Sequence, residues 1–123
     1  MSAKRIAIPS QVPGGLEAMR SGHFGHCDLF TIVDIENNEI KKIWTLQNVE
    51  HHQGGCLVPV NLLHENNVDT IIVGGMGLRP LMGFRNVGIE VLLGEGEIVK
   101  DSVNAYLEGK LLPMGDEHVC GGH

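Results

Sequence analysis

The chain has no excess of basic residues: Lys and Arg number 9 against 15 Asp and Glu, giving a formal net charge of −6. That balance lacks the broad positive footprint by which proteins bind nucleic acid or anionic lipid. No apolar run approaches the roughly 20 residues of a membrane span. Met1 to Pro9 carries Lys4 and Arg5 but no apolar stretch long enough for a signal peptide, so the expected location is the cytoplasm. Cysteine is scarce, with 3 residues at positions 27, 56 and 120. An odd, widely spaced set in a reducing compartment is an unlikely disulfide framework and leaves ligand, reactive thiol or buried thiol as its roles. No Cys-x-x-Cys occurs, which counts against a zinc ribbon or a ferredoxin built from local sequence. Internal repeats, low-complexity segments and linkers are also absent.

What is present suffices for one folded domain. The chain has 123 residues and is 42% hydrophobic, enough for a core without staples. Arg5 to Pro9 is a short apolar run ended by proline, and reads as a buried strand. Leu29 to Ile35 and Ile40 to Leu46, rich in β-branched and aromatic residues and separated by Glu36-Asn37-Asn38-Glu39, read as a hairpin. The rhythm then becomes helical: Leu57, Val60, Leu63 and His64 share a face, with Pro59 tolerable in the first turn. A strand at Thr70 to Val73, a helix from Leu78 to Asn86, a strand at Ile89 to Leu93 and a last helix closed by Gly109 complete a βββαβαβα order. The folded body is expected over residues 1–112, and residues 113–123 are expected to form a flexible tail carrying His118, Cys120 and His123.

Ser21-Gly22-His23-Phe24-Gly25-His26-Cys27-Asp28 concentrates metal-capable side chains in a loop that glycines leave open. Imidazole and thiolate suit zinc, copper, nickel and iron-sulfur centres, whereas magnesium or calcium would want several carboxylates. The alternative is a polar turn with Cys27 packed as a small apolar residue. If the second strand runs antiparallel to the first and the others parallel to it, one end of the sheet gathers the 10–28 loop, the 47–56 loop and the 74–78 turn. Ligands of open α/β sheets bind at that end. His23, His26, Cys27, His51, His52 and Cys56 all fall there; His64, at the far end of its helix, reads as a partly exposed helix-end residue. Cys56 lies at or before a helix start, where backbone N–H groups and the dipole favour thiolate. The alternative for it is a thiol tucked under the helix. Gly74-Gly75-Met76-Gly77 opens another helix and resembles an anion cradle, although it lacks the Lys-Ser/Thr pair of a phosphate loop and the full Gly-x-Gly-x-x-Gly fingerprint. Its plainer reading is a tight strand-to-helix turn. Arg20 and Arg79 stand beside these loops and could neutralise an anion.

Together, Ile6-Ala7-Ile8-Pro9, Ser21-Gly22-His23-Phe24-Gly25 with Phe30, Gly74-Gly75-Met76-Gly77, Gly88-Ile89-Glu90-Val91 and Gly109-Lys110-Leu111 resemble the dinitrogenase iron-molybdenum cofactor biosynthesis family, which includes NifX, NifY and NifB C-terminal type domains. The resemblance spans about Lys4 to Leu112, and His-Phe-Gly is its most specific part. It implies a ribonuclease-H-like, three-layer α/β/α fold with a mixed five-stranded sheet ordered 3-2-1-4-5. It also implies binding of an iron-sulfur or iron-molybdenum-sulfur cluster, with His23 as a candidate ligand. The His51-His52-Gln53-Gly54-Gly55-Cys56 segment and the His118-Val119-Cys120-Gly121-Gly122-His123 tail depart from the plainest members.

Three function classes follow. The preferred one is a cluster carrier or scaffold without turnover, serving donor and recipient proteins. Its primary ligands are His23 and Cys56, its auxiliary candidates are His26, Cys27, His51 and His52, and Cys120 and His123 could close over the cargo. Arg20, Gly25, Gly74, Gly75, Gly77 and Arg79 form the surrounding binding shell. A second class handles mononuclear zinc, nickel or copper with the same donors. A third is a ribonuclease-H-like hydrolase, which needs carboxylates on the central strands to hold magnesium. Arg5-Ile6-Ala7-Ile8 and Thr70-Ile71-Ile72-Val73 supply none.

Overall fold

The computed structural model describes residues 3–21, 27–48, 57–94 and 96–115. Strands β1 (Ala3–Ser10), β2 (Leu29–Glu36) and β3 (Glu39–Gln47) are followed by α1 (Leu57–Glu65), β4 (Thr70–Val73), α2 (Leu78–Asn86), β5 (Glu90–Leu93) and α3 (Val99–Leu107). They form one mixed sheet ordered β3-β2-β1-β4-β5. β2 pairs antiparallel with β1 and β3, while β4 runs parallel to both β1 and β5. The expected element order, strand directions and central first strand are therefore those observed.

Side-chain alternation along the strands divides the interior into two cores. Ala7, Phe30, Ile32, Ile71, Val73 and Val91 point to one face, where Val60 and Leu63 of α1 and Leu81 and Phe84 of α2 cover them. Ile6, Ile8, Val33, Ile35, Ile72 and Leu92 point to the other, against Val99 and Val103 of α3. Burial on both faces explains the continuous apolar runs Ile6 to Pro9 in β1 and Ile71 to Val73 in β4.

Local chemistry terminates each element where the pattern stops. Asn37 and Asn38, at φ of 55° and 65°, form the left-handed two-residue turn of the β2–β3 hairpin, a geometry that follows the strand twist. All three helices end in paired backbone bonds of the Schellman type. In α1 these run from Asn67 N–H to His64 O and Val68 N–H to Leu63 O; in α2 from Gly88 to Arg85 and Ile89 to Phe84; in α3 from Gly109 to Tyr106 and Lys110 to Ala105. Val68 with Leu63 and Ile89 with Phe84 share one core, so the cap and the packing reinforce each other.

At the amino end of β1, Arg5 Nε donates to Asp34 Oδ1 at 2.7 Å and Nη1 to the Asn66 carbonyl at 2.9 Å. The same guanidinium lies 5.2 Å from the Trp44 ring centroid, and Trp44 Nε1 donates to Asp34 Oδ2 at 3.2 Å. This network ties β1, β2, β3 and the turn after α1 at the end of the sheet opposite the candidate loops. An open cleft of about 560 Å³ beside it is lined by Lys4, Arg5, Asp34, Lys41 and Asp69; its charges are of both signs.

The folded body extends beyond the expected boundary at Leu112. Leu93 N–H donates to Leu112 O, Met114 N–H donates to Val91 O, and Pro113 bridges Leu92. Met114 is 2% exposed and belongs to the core under α1 and α2. A single apolar residue after a proline carried too weak a periodic signal to mark this return. Residues 116–123, including His118, Cys120 and His123, lie outside the described residues.

Candidate functional site

Where the parallel strands end, the chain after β1 makes a return excursion. Ser10 pairs with Arg20 and Met19 with Ile98. Gln11 N–H donates to Met19 O, Ser21 N–H to Pro9 O, and Arg20 N–H to Glu97 O. The hydroxyls of Ser10 and Thr31, 2.8 Å apart, and the Gly15 N–H donated to Thr31 Oγ1 at 3.1 Å anchor the excursion in the interior. Arg20 is thereby delivered to the carboxyl ends of β4 and β5.

Its guanidinium donates Nε and Nη2 to the Gly96 carbonyl at 3.2 and 2.6 Å. A Cβ at Gly94 would stand 2.6 Å from Nη1, and one at Gly74 3.8 Å from it; glycine at 94 makes room for the arginine. Gly96 has φ of +76°, and a Cβ there would run into the Asp101 side chain. Partial burial lowers the Arg20 pKa from its ordinary value and Asp101 opposes that shift. Among the described residues Arg20 makes no ion pair. It is a cation half withdrawn from water beside backbone, a setting in which an anion gains from pairing.

Gly74 and Gly75 follow β4, and Met76 turns inward at 4% exposure. Gly77 is the N-cap of α2 in an extended conformation without a side-chain cap, so the N–H groups of the first turn keep their capacity for an external acceptor. The segment is thus both a packed strand-to-helix turn, through Met76, and a helix start facing the same end of the sheet. Arg79 is exposed in that first turn.

Cys27 is 6% exposed and belongs to the core under α1 and α2. Burial, more than any other influence, pushes its thiol up to about 11. It is therefore protonated at neutral pH, in keeping with the packing alternative. Asn48, just after β3, donates Nδ2 to the Cys27 carbonyl at 3.0 Å and reaches Cys27 Sγ at 3.5 Å, while its Oδ1 is buried with no hydrogen-bond partner among the described residues. Sequence reasoning passed over Asn48, although its place between a strand end and His51 was a usable signal. His23, Gly25, His26, His51, His52, Cys56, Cys120 and His123 lie outside the described residues. Among the described residues no group of three or more His, Cys, Asp or Glu is placed to hold a metal ion, and no helix is long and apolar enough to cross a membrane.

A mixed α/β sheet with helices on both faces and its candidate site beyond the carboxyl ends of the parallel strands defines the class. Residues 4–109 match the dinitrogenase iron-molybdenum cofactor family, and the chain belongs to that family. An uncharacterised protein of Methanocaldococcus jannaschii is 33% identical over 93 residues, 74% of this chain and 79% of its own length. The solution structure of a candidate NifB protein from Thermotoga is 28% identical with a TM-score of 0.73, covering 89% of this chain and 92% of that one. The apo form of the orange protein from Desulfovibrio gigas has a TM-score of 0.79 at 21% identity, over 91% of this chain and 93% of that one. At that identity the likeness concerns the fold.

Proposed function

We propose that this protein binds and carries an iron-sulfur or iron-molybdenum-sulfur cluster in the cytoplasm, as an assembly or transfer protein without turnover of its own. Membership of the iron-molybdenum cofactor family over residues 4–109 supports this class of cargo, and the NifB description of the Thermotoga neighbour is in keeping with it. The single structural observation that carries the reading is Arg20. In a chain of net charge −6, an anionic cluster needs local positive potential. A half-buried guanidinium with no ion pair among the described residues, beside Gly74 at the end of β4, supplies it where open α/β sheets bind ligands.

The donors fit a soft, sulfide-bridged cargo. His23 and Cys56 are proposed as primary ligands, with His26, His51 and His52 as auxiliaries. Cys27 ranks last among the loop donors, since ligation would require the deprotonation of a core thiol. Cys120 and His123 could close over the cluster, and Gly25, Gly74, Gly75, Gly77 and Arg79 would leave it room and charge. Donor and recipient proteins are the implied partners. We class the fold as ribonuclease-H-like on its sheet order, without the hydrolytic chemistry. β1 and β4 place no carboxylate on the central strands, and Asp34 on β2 is engaged by Arg5.

The test is reconstitution without air using iron, sulfide and molybdate, followed by visible absorption and assay of iron, molybdenum, sulfide and zinc. Broad sulfide-to-iron absorption with near-matched iron and sulfide supports a cluster. Bound zinc, nickel or copper with no sulfide would replace this reading with mononuclear metal handling.

A further inference from the structure

Thr70 is the one polar residue of β4 and is fully buried. Its hydroxyl donates to Glu90 Oε1 at 3.3 Å from the paired position on β5, and the Tyr106 side chain of α3 hydrogen-bonds the same Thr70. A buried hydroxyl that joins two side chains holds both in place. Glu90 and Leu92 share the α3 face of β5, because Val91 between them points to the core under α1 and α2. Carboxylate and phenol are thereby brought together on the α3 side of the sheet.

A cleft of about 230 Å³ opens at this place, lined by Glu90, Leu92, Tyr106, Gly109, Leu111 and Pro113. Pockets for drug-sized ligands measure roughly 300–1,000 Å³, so this one suits a smaller group of a few heavy atoms. Its walls divide by chemistry. Leu92, Leu111 and Pro113 are apolar, Tyr106 offers an aromatic ring, Glu90 brings the single charge, and no Lys or Arg lines it among the described residues. Lys110, next to Gly109, is paired with Glu108 at 2.9 Å. The last turn of α3, which runs into Gly109, carries no basic residue, so no side chain there offsets the negative end of the helix dipole. The surroundings add to this field: burial first, and then the charges of Glu90 and Asp69, raise the Tyr106 pKa above its ordinary value.

A hard metal ion would want several oxygen ligands, and no group of three or more His, Cys, Asp or Glu is placed to hold one among the described residues. An organic cation matches the walls better. An ammonium would pair with the Glu90 carboxylate beside the Tyr106 ring, and its methylenes would lie along Leu92, Leu111 and Pro113. We propose that this cleft binds a primary alkylammonium group, that of a free amine or of a lysine side chain, with Glu90 as counter-ion and Tyr106 as aromatic wall. The site does not depend on the metal-binding reading.

The experiment titrates the ¹⁵N-labelled full chain at low ionic strength with n-butylammonium and, separately, with butan-1-ol and butyrate. n-Butylammonium is expected to shift the amide signals of Leu92, Gly109 and Leu111 saturably. Butan-1-ol, of equal length and uncharged, should bind about threefold to tenfold more weakly, the range between an exposed ion pair and a charge-assisted hydrogen bond, and butyrate should leave these signals unmoved. Glu90→Gln keeps the side-chain size and an acceptor for Thr70 but loses the charge, and should weaken n-butylammonium by the same factor while leaving butan-1-ol unchanged. Nα-acetyl-lysine N-methylamide separates the two sources: binding at least as tight as n-butylammonium assigns the cleft to a lysine side chain, and its exclusion beside bound n-butylammonium assigns it to a free amine. Parent-like binding of n-butylammonium by a folded Glu90→Gln protein would overturn the proposal, as would butan-1-ol binding as tightly as n-butylammonium, or shifts that spread over the acidic surface without saturating. If Glu90→Gln does not fold, the comparison of n-butylammonium with butan-1-ol on the parent decides alone.

Discussion

Arg20 Nη2 donates to the carbonyl oxygen of Gly96 at 2.6 Å, across 76 residues of sequence, and so ties the excursion after β1 to the turn after β5. The contact places positive charge at the ends of β4 and β5 and leaves Nη1 beside Gly74 and Gly94. Arg20→Gln should lower affinity for tetrathiomolybdate, a soluble anionic probe, by about tenfold or more, the equivalent of one charge-assisted hydrogen bond of about 1.5–3 kcal/mol. The melting temperature should move little. Equilibrium dialysis with parallel thermal scans checks both, and unchanged affinity would remove Arg20 from the site.

Cys27 should behave as a buried thiol. Raising its pKa from the ordinary 9.0 to about 11 leaves about one-hundredth as much thiolate at neutral pH. Mass mapping should find Cys27 alkylated by iodoacetamide far more slowly in native than in denatured protein. The linked stability has a definite sign. Because the folded state holds the proton more tightly, the contribution is complete below pH 9 and is lost as pH rises through about 11. Cys27→Ala should flatten that part of the pH–stability curve, and fast native alkylation would contradict the buried assignment.

Met114 is the last core residue among the described residues. Ending the chain after Gly115 should leave thermal stability nearly unchanged and, by removing His118, Cys120 and His123, reduce metal retention. Met114→Ala should destabilise by about 2–5 kcal/mol, as expected for truncating a core side chain. Urea unfolding of the two variants compares them directly. Equal stability losses would mean that residues beyond Gly115 are themselves structural.

Asp34 accepts from both Arg5 and Trp44, so Asp34→Ala leaves a partly buried cation and an indole N–H without their acceptor. A loss of about 1–3 kcal/mol is expected, with no effect on metal loading, because the network lies at the far end of the sheet. Impaired loading in a folded Asp34→Ala protein would show that the two ends are coupled.

The fold was legible in the sequence because several signals agreed. Ile71 to Val73 is apolar throughout because both faces of β4 are covered, the Asn37-Asn38 pair fits a left-handed hairpin turn, and Gly88 and Gly109 sit where helices must reverse. Met114 was not legible, since its burial depends on an edge pairing that one residue cannot announce. Within the candidate site, the sequence identified Arg20 and the Gly74–Gly77 turn as neighbours of one sheet end. The Ser10–Arg20 pairing that delivers the guanidinium there is a tertiary fact, as is the burial that distinguishes Cys27 from an open-loop ligand. Asn48 went unnoticed because an asparagine after a strand reads as a turn residue, and only the Cys27 contact gives its amide a direction.

The most direct test of the account is the iron and sulfide bound by His23→Ala and Cys56→Ala, each reconstituted without air beside the parent. The account predicts that both variants fold, since loop substitutions of this kind remove little core, and that each retains markedly less iron and sulfide with weaker visible absorption. Variants that fold and load cluster as the parent does would contradict it, returning the histidines and cysteines of these loops to purely structural roles.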